Sequence, residues 1–201
     1  PERAARADTS AHDLAARYAT VRSTTMRLVE PLSDEDCQVQ SMPDASPTKW
    51  HLAHVTWFFE TFVLEPGERD FQAFDSRFRV LFNSYYQGVG EQHPRALRGL
   101  ITRPGLDIVK RYRAQVDERM LALMTRAEAE GSLDGSLRDL IVLGLHHEQQ
   151  HQELLLTDIK HLFSLNPLRP VYRHLPLPSA TAATPLEFIN GAEGIIEIGH
   201  A

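Results

Sequence analysis

Histidines are the residues of this 201-residue chain best suited to chemistry, because five of its ten fall into two short clusters. His147 and His151 are four positions apart, so on a helix of about 3.6 residues per turn they lie on one face and could bind one metal ion. His51 and His54 belong to a strongly apolar and aromatic segment. A histidine buried in such a segment needs a partner for each ring nitrogen, and a metal ion can be one of them. The two clusters together predict a three-histidine site for one divalent transition metal.

Helical spacing alone leaves part of the ligand set open. His51 and His54 point about 60° apart on a helix, and periodicity does not choose between them. His146 is turned about 100° from His147 and breaks the four-residue spacing with His151, but it is not excluded. Three neutral imidazoles leave half of a coordination sphere open, which suits Zn(II) in hydrolytic enzymes as well as Fe(II). A non-enzymatic helical module with structural histidines is the alternative, although structural sites are usually closed by four ligands.

Four long helices are predicted to position these side chains, because apolar residues recur at helical spacing in four segments. Ser46 is predicted to cap the second helix with Pro47 at its first position, and Asp134 or Ser136 to begin the fourth. No convincing strand precedes residue 175, so the chain is predicted to be an all-α four-helix bundle. The expected helices span about 8–30, 47–64, 106–130 and 134–165.

The segments outside these helices are predicted to differ in character. Residues 68–105 are expected to form short helical pieces and an irregular loop, close to which Tyr85 and Tyr86 are predicted to be core aromatics. Residues 1–174 are predicted to be the helical metal-binding domain. Residues 175–201 then read as an extended linker, LPLPSATAATP, followed by the β-branched opening of a second, truncated domain.

Composition argues against several classes of partner. The net charge is −6 and there is no dense Lys/Arg cluster, which argues against nucleic acids and anionic membrane surfaces. No apolar run approaches the roughly 20 residues of a membrane helix, and the first residues lack a signal-peptide core, so a cytoplasmic location is expected. Cys37 is the single cysteine, which excludes an internal disulfide and a cysteine-based metal site.

Two motifs stand out, WHLAHVTWFFETFVL at 50–64 and HHEQQHQE at 146–153. They strongly resemble the DinB-like N-terminal domain of the sulfoxide synthases of ergothioneine biosynthesis, iron(II) enzymes related to the ovothiol-forming sulfoxide synthases. The resemblance extends over essentially the whole chain, and EFINGAEGIIEIGH at 187–200 is similar to the start of the formylglycine-generating-enzyme-like domain that follows in this family. The other motifs that carry it are SMPDASPTKW at 41–50 and LFNSYYQGVGEQHPR at 81–95.

The resemblance implies a particular ligand set and reaction. It assigns iron(II) to His54, His147 and His151, and leaves His51 and His146 beside the site. The implied reaction joins the sulfur of cysteine or γ-glutamylcysteine to the imidazole of Nα-trimethylhistidine, with O2 as oxidant, to give a sulfoxide.

The resemblance also implies substrate-binding residues. Arg95 and Arg98 resemble the family's arginine pair for the carboxylate of the thiol substrate, a task for which the bidentate guanidinium is suited. Gln150 resembles the glutamine that hydrogen-bonds the substrate imidazole. The family's catalytic tyrosine belongs to the second domain, so no catalytic residue is assigned in this chain. The alternatives are a selenium-inserting relative and a stand-alone DinB-type enzyme, either a thiol transferase or a Zn(II) hydrolase.

Overall fold

The computed structural model of the chain describes residues 11–84, 87–174, 176, 185–191 and 194–195, and these contain helices but no strand. The predicted all-α class is thereby confirmed for this part of the chain. Glu60–Leu64 forms a π-helical turn between the α-helices that end at Phe59 and begin at Glu65, and Arg95–Leu100 forms a 3-10 helix. The α-helices are α1 (Ala11–Val29), α2 (Thr48–Phe59), α3 (Glu65–Gly67), α4 (Phe78–Leu81), α5 (Leu106–Ala129) and α6 (Gly135–Leu165).

Four of these helices form a bundle, in which α1 and α2 each pack against both α5 and α6. Gly144 allows the close approach of α6 to α2, since a Cβ there would lie 2.6 Å from Cε1 of Phe59 and 2.8 Å from Cε1 of Phe58. The fully buried side chains between the helices are large and mostly apolar, as a close-packed core requires. They include Leu14, Tyr18, Leu52, Trp57, Phe59, Leu64, Tyr112, Met120, Met124, Ile141 and Leu145.

The bounds of α5 and α6 lie within one residue of those predicted, whereas the helical segment that starts at Thr48 continues to Gly67, three residues beyond its predicted end. The start of α2 also differs from its sequence signal. Asp134 caps α6 as predicted, because its Oδ1 accepts a hydrogen bond of 2.8 Å from the backbone N–H of Leu137. Pro47, by contrast, is the N-cap of α2 and makes no side-chain cap bond. The predicted cap, Ser46, instead accepts a 2.9 Å hydrogen bond on its Oγ from the buried Arg98 guanidinium. A buried cation needs hydrogen-bond acceptors, and Arg98 therefore uses the Ser46 hydroxyl that was predicted to cap α2.

The predicted C-terminal domain lies mostly outside the described residues, as do Tyr85 and Tyr86. Residues 185–191 are exposed and form neither helix nor strand. The linker and the second domain therefore stay predictions. None of the helices in the described ranges combines the length and the hydrophobicity needed to cross a bilayer.

Candidate metal centre

Three imidazoles converge between α2 and α6, where His54, His147 and His151 each offer a ring nitrogen within 4.8 Å of the others. Their ring centroids are 4.7–4.9 Å apart. Metal–nitrogen bonds of about 2.1 Å hold neighbouring ligand atoms about 3–3.5 Å apart, so small side-chain rotations would bring all three onto one ion. The two histidines of α6 and one histidine of α2 therefore converge as the sequence predicts, and the group could hold a metal.

His54 is held with one nitrogen free for a ligand. Its Nδ1 lies 2.6 Å from the carbonyl oxygen of Phe82, which can only accept, so Nδ1 carries the proton and Nε2 keeps its lone pair. The ring stacks between Trp50 and Trp57, at centroid distances of 4.5 and 5.6 Å and with 14° between the planes in both pairs. These contacts fix the orientation of the imidazole as well as its tautomer.

His51, one turn before His54, lies behind the cluster with both of its nitrogens occupied. Its Nε2 lies 3.0 Å from Oδ2 of Asp158 and its Nδ1 lies 2.8 Å from Nδ1 of His151. The geometry therefore brings His54, and not His51, into the group of three, which is the choice that the family resemblance implied. His146 is exposed and contacts Arg17 instead, at 3.3 Å.

The electrostatics of the cluster favour neutral imidazoles. Burial lowers the pKa of His147 to about 4 and also lowers the pKa values of His54 and His151. A neutral imidazole is the form that binds metals, so the three side chains are ligand-competent near neutral pH. His147 Nδ1 is buried and has no hydrogen-bond partner among the described residues, an arrangement that a bound ligand would relieve. The donor set of three nitrogens therefore fits a divalent transition metal.

A cavity of about 260 Å³ opens beside the three rings, and it is lined by all three predicted substrate-binding residues, Arg95, Arg98 and Gln150. Arg95 and Gln150 are exposed. Arg95 donates to the carbonyl oxygen of Asp44. The cavity therefore has two cationic side chains and an amide next to the candidate metal ligands.

Arg98 is the buried member of this group, with 4% of its surface exposed. Its guanidinium carbon lies 3.4 Å from the Trp50 ring centroid, and its two terminal nitrogens donate to the hydroxyls of Ser46 and Ser84 at 2.9 and 3.1 Å. Trp50 thus contacts both the arginine and His54. The 3-10 helix that carries Arg98 is itself fastened by Gln40, whose Oε1 accepts from the backbone N–H of Gly99 at 2.7 Å.

Two groups of residues in this region were missed by the sequence analysis as functional partners. Asp158 lies seven residues after His151 on α6, close to the same stripe, and that spacing was the one available signal for its contact with His51. Glu148, next to His147, is fully buried and forms an ion pair of 2.9 Å with Arg22 of α1. Nothing in the spacing of the histidines pointed to this second polar cluster.

A comparison with protein families agrees with this architecture. A family profile described as the DinB superfamily matches residues 17–155, which is more than half of the chain and includes all three clustered histidines. No curated protein matches the chain.

Proposed function

Because the chain belongs to the DinB superfamily, we propose that it is the metal-binding domain of an iron(II)-dependent sulfoxide synthase. The observation that carries the proposal is the convergence of three neutral imidazoles beside a cavity that contains two arginines. The motifs at 50–64 and 146–153 support iron as the metal, since three nitrogens alone also suit zinc. Iron(II) bound there would supply the redox chemistry for oxidative C–S bond formation.

The proposed reaction consumes a thiol, an imidazole and O2, with cysteine or γ-glutamylcysteine as the thiol and Nα-trimethylhistidine as the imidazole. The S–H bond and one ring C–H bond break, and a C–S bond and an S–O bond form. Four electrons pass to O2, of which one oxygen atom enters the sulfoxide and the other leaves as water with the two hydrogens. The equation therefore balances without a further reductant or oxidant.

The roles of this chain's own residues follow from their positions. Arg98 presents a preorganised guanidinium at the cavity, because Trp50, Ser46 and Ser84 fix its plane. With Arg95 at the same cavity it would bind the carboxylate of the thiol substrate. Gln150 can hydrogen-bond a nitrogen of the substrate imidazole, because its amide both donates and accepts.

Metal reconstitution tests the proposal directly. The chain is loaded anaerobically with Fe(II), its metal content is measured by elemental analysis, and γ-glutamylcysteine or cysteine is added while the spectrum is recorded. One iron per chain with a thiol-dependent spectrum is the expected result. Absence of stoichiometric metal in the wild-type chain would overturn the proposal.

Single alanine variants identify the ligands. His54→Ala, His147→Ala and His151→Ala should each lower metal affinity by more than the roughly 10–100-fold typical of residues behind the ligands. His146→Ala is the matched control, because His146 is exposed on the same helix and should keep its metal. Loss of metal in the control, with retention in His54→Ala, would contradict the assigned ligand set.

A zinc-dependent DinB-type thiol transferase or hydrolase is the second candidate. The three histidine ligands support this candidate, because three imidazoles with an open coordination position are typical of catalytic zinc sites. Tight zinc binding with no spectroscopic response of the iron-loaded chain to thiols would replace the first proposal with this one.

A further inference from the structure

Asp158 lies at the start of a hydrogen-bonded chain that ends at one of the three clustered histidines. Its Oδ2 is 3.0 Å from Nε2 of His51, and Nδ1 of His51 is 2.8 Å from Nδ1 of His151. His51 is buried, with 4% of its side chain exposed, and 14% of the Asp158 side chain is exposed. The pair is therefore largely shielded from water, which would otherwise compete for these hydrogen bonds.

The chemistry of the three groups gives the chain a direction. An ionised carboxylate only accepts hydrogen bonds, so Nε2 of His51 carries a proton and donates a hydrogen bond to Asp158. In neutral His51 the other nitrogen, Nδ1, then has a lone pair and accepts from Nδ1–H of His151. With its proton on Nδ1, His151 has its lone pair on Nε2. Nε2 takes no part in the contact between His51 and His151, so its lone pair is available to a ligand.

We propose that Asp158 and His51 are positioning residues that fix the tautomer and ring orientation of His151, so that its Nε2 is held ready to bind a ligand. The carbonyl oxygen of Phe82 fixes the tautomer of His54 in the same way, but no side-chain substitution removes a backbone group. His151 depends instead on two side chains, both of which can be changed. The expected effect on metal affinity rests on the proposed metal site, whereas the tautomer of His151 does not.

The same carboxylate also connects this chain to the cavity. Oδ2 of Asp158 accepts a hydrogen bond of 2.9 Å from the backbone N–H of Ser46, and the hydroxyl of Ser46 accepts from Arg98. One side chain of α6 thus fixes both the imidazole of His151 and the residue that contacts Arg98. Removal of Asp158 should therefore affect the ligand histidine and the arginine side of the cavity together.

The tautomer is measured first, by long-range ¹H–¹⁵N correlation spectra of the metal-free chain labelled at its histidine nitrogens. Wild-type His151 should carry its proton on Nδ1. In Asp158→Ala, His51 has no acceptor at Nε2 and can donate from Nδ1, so His151 should shift toward the Nε2–H form. His54 is an internal control for folding, because it should remain Nδ1–H in every folded variant. A wild-type His151 with its proton on Nε2, or an unchanged tautomer in Asp158→Ala, would overturn the proposal.

Metal affinity is measured second, by titration with Zn(II) alone in competition with a chromophoric chelator. Asp158→Ala and His51→Phe should each weaken binding about 10–100-fold, as loss of a hydrogen-bond partner behind a ligand does. His51→Gln should recover part of the loss, because its amide oxygen can accept from Nδ1–H of His151. Asp139→Ala removes the same charge from an exposed position of α6 and should leave affinity unchanged.

These two readouts separate the two proposals. A wild-type chain that binds no metal but shows the Asp158-dependent tautomer refutes the metal site and supports the positioning pair. A chain that binds metal with an affinity within twofold of wild type in both Asp158→Ala and His51→Phe refutes the positioning pair alone.

Discussion

Two adjacent residues of α6, His147 and Glu148, belong to polar clusters of opposite character. Glu148 is fully buried and its acceptors are used: Oε2 accepts from Arg22 at 2.9 Å, and Oε1 accepts from Thr25 at 2.6 Å and from Arg113. His147 is also largely buried, but its Nδ1 has no hydrogen-bond partner within the described part of the chain. The Glu148 carboxylate is satisfied by its own chain, although Nε and Nη1 of Arg113 beside it have no hydrogen-bond partner among the described residues. In the histidine cluster it is an imidazole nitrogen, a potential metal ligand, that has no partner there.

The charges of the two clusters differ in the same way. Arg22 also pairs with Asp117 at 2.6 Å, so two arginines face two carboxylates and the buried network is neutral overall. The histidine cluster is neutral because its members are uncharged, and the cavity beside it is lined by the cationic Arg95 and Arg98 and by the carboxylate of Asp158. Burial of polar groups therefore does not identify a functional site by itself. The informative feature is the group of three ligand nitrogens beside a cavity, one of them without a hydrogen-bond partner among the described residues.

Loss of Glu148 should have the largest effect on stability. Glu148→Ala leaves Arg22 and Arg113 buried without their carboxylate, which should lower the free energy of unfolding by about 3–5 kcal/mol. Urea denaturation measures this loss. Glu153→Ala, exposed on the same helix, is the control and should change stability by less than about 0.5 kcal/mol. A loss below about 1 kcal/mol in Glu148→Ala would remove the distinction between the two clusters.

Acid should destabilise the two clusters in different pH windows. Burial lowers the pKa of His147 from 6.5 to about 4, so the unfolded chain takes up its proton first and stability falls as pH decreases from about 6.5 to 4. Burial alone would raise the pKa of Glu148, but Arg22 and Arg113 outweigh it and lower that pKa from 4.5 to about 2. Its contribution is therefore present above pH 4.5 and is lost between about 4.5 and 2. Each pKa unit corresponds to about 1.4 kcal/mol.

Urea denaturation of the metal-free chain at a series of pH values would resolve these windows. His147→Ala should reduce the slope of the upper one, to which the buried His54 and His151 also contribute, and leave the lower one in place. If that variant kept the whole slope between pH 6.5 and 4, the assignment of part of this window to His147 would be wrong.

A methyl group at Gly144 should disturb both clusters through their shared helix. Gly144→Ala places a Cβ within 2.6–2.8 Å of the Phe58 and Phe59 rings, so α6 must move or the rings must shift. Overpacking of this kind costs about 1–3 kcal/mol, and it should also weaken metal binding by displacing His147 from His54. Gly135→Ala is the matched control, since its Cβ would meet nothing within 4 Å. Equal stability of the two variants would show that the close approach of α6 to α2 is not tight.

The smallest effect is expected at an ion pair exposed to water. Arg79 and Glu65 are 2.6 Å apart, but 47% and 38% of their side chains are exposed. Arg79→Ala should change the free energy of unfolding by at most about 1 kcal/mol and leave metal affinity unchanged. A larger loss, measured by the same urea denaturation, would show that burial does not determine how much an ion pair contributes to the free energy of unfolding.

Much of this arrangement was predictable from local sequence. The HxxxH spacing places His147 and His151 on one face whatever the tertiary structure, because it depends only on the helical repeat. Asp134 and Gly131 mark the boundary between α5 and α6 for local reasons, a side-chain cap and a residue with φ of 65°. The choice of His54 over His51 came from the family resemblance, since their angular separation allowed either.

The sequence by itself determined an all-α fold, the positions of its long helices and a pair of histidines facing one way. Only the tertiary structure brought His54 next to this pair, placed Ser46 against Arg98 in place of the α2 terminus, and brought Asp158 to His51. It also decided that Glu148 meets Arg22 and Arg113 of two other helices. The physical reason is the range of the interactions. Helical repeat and caps act within about four residues, whereas hydrogen bonds between helices depend on how their faces pack.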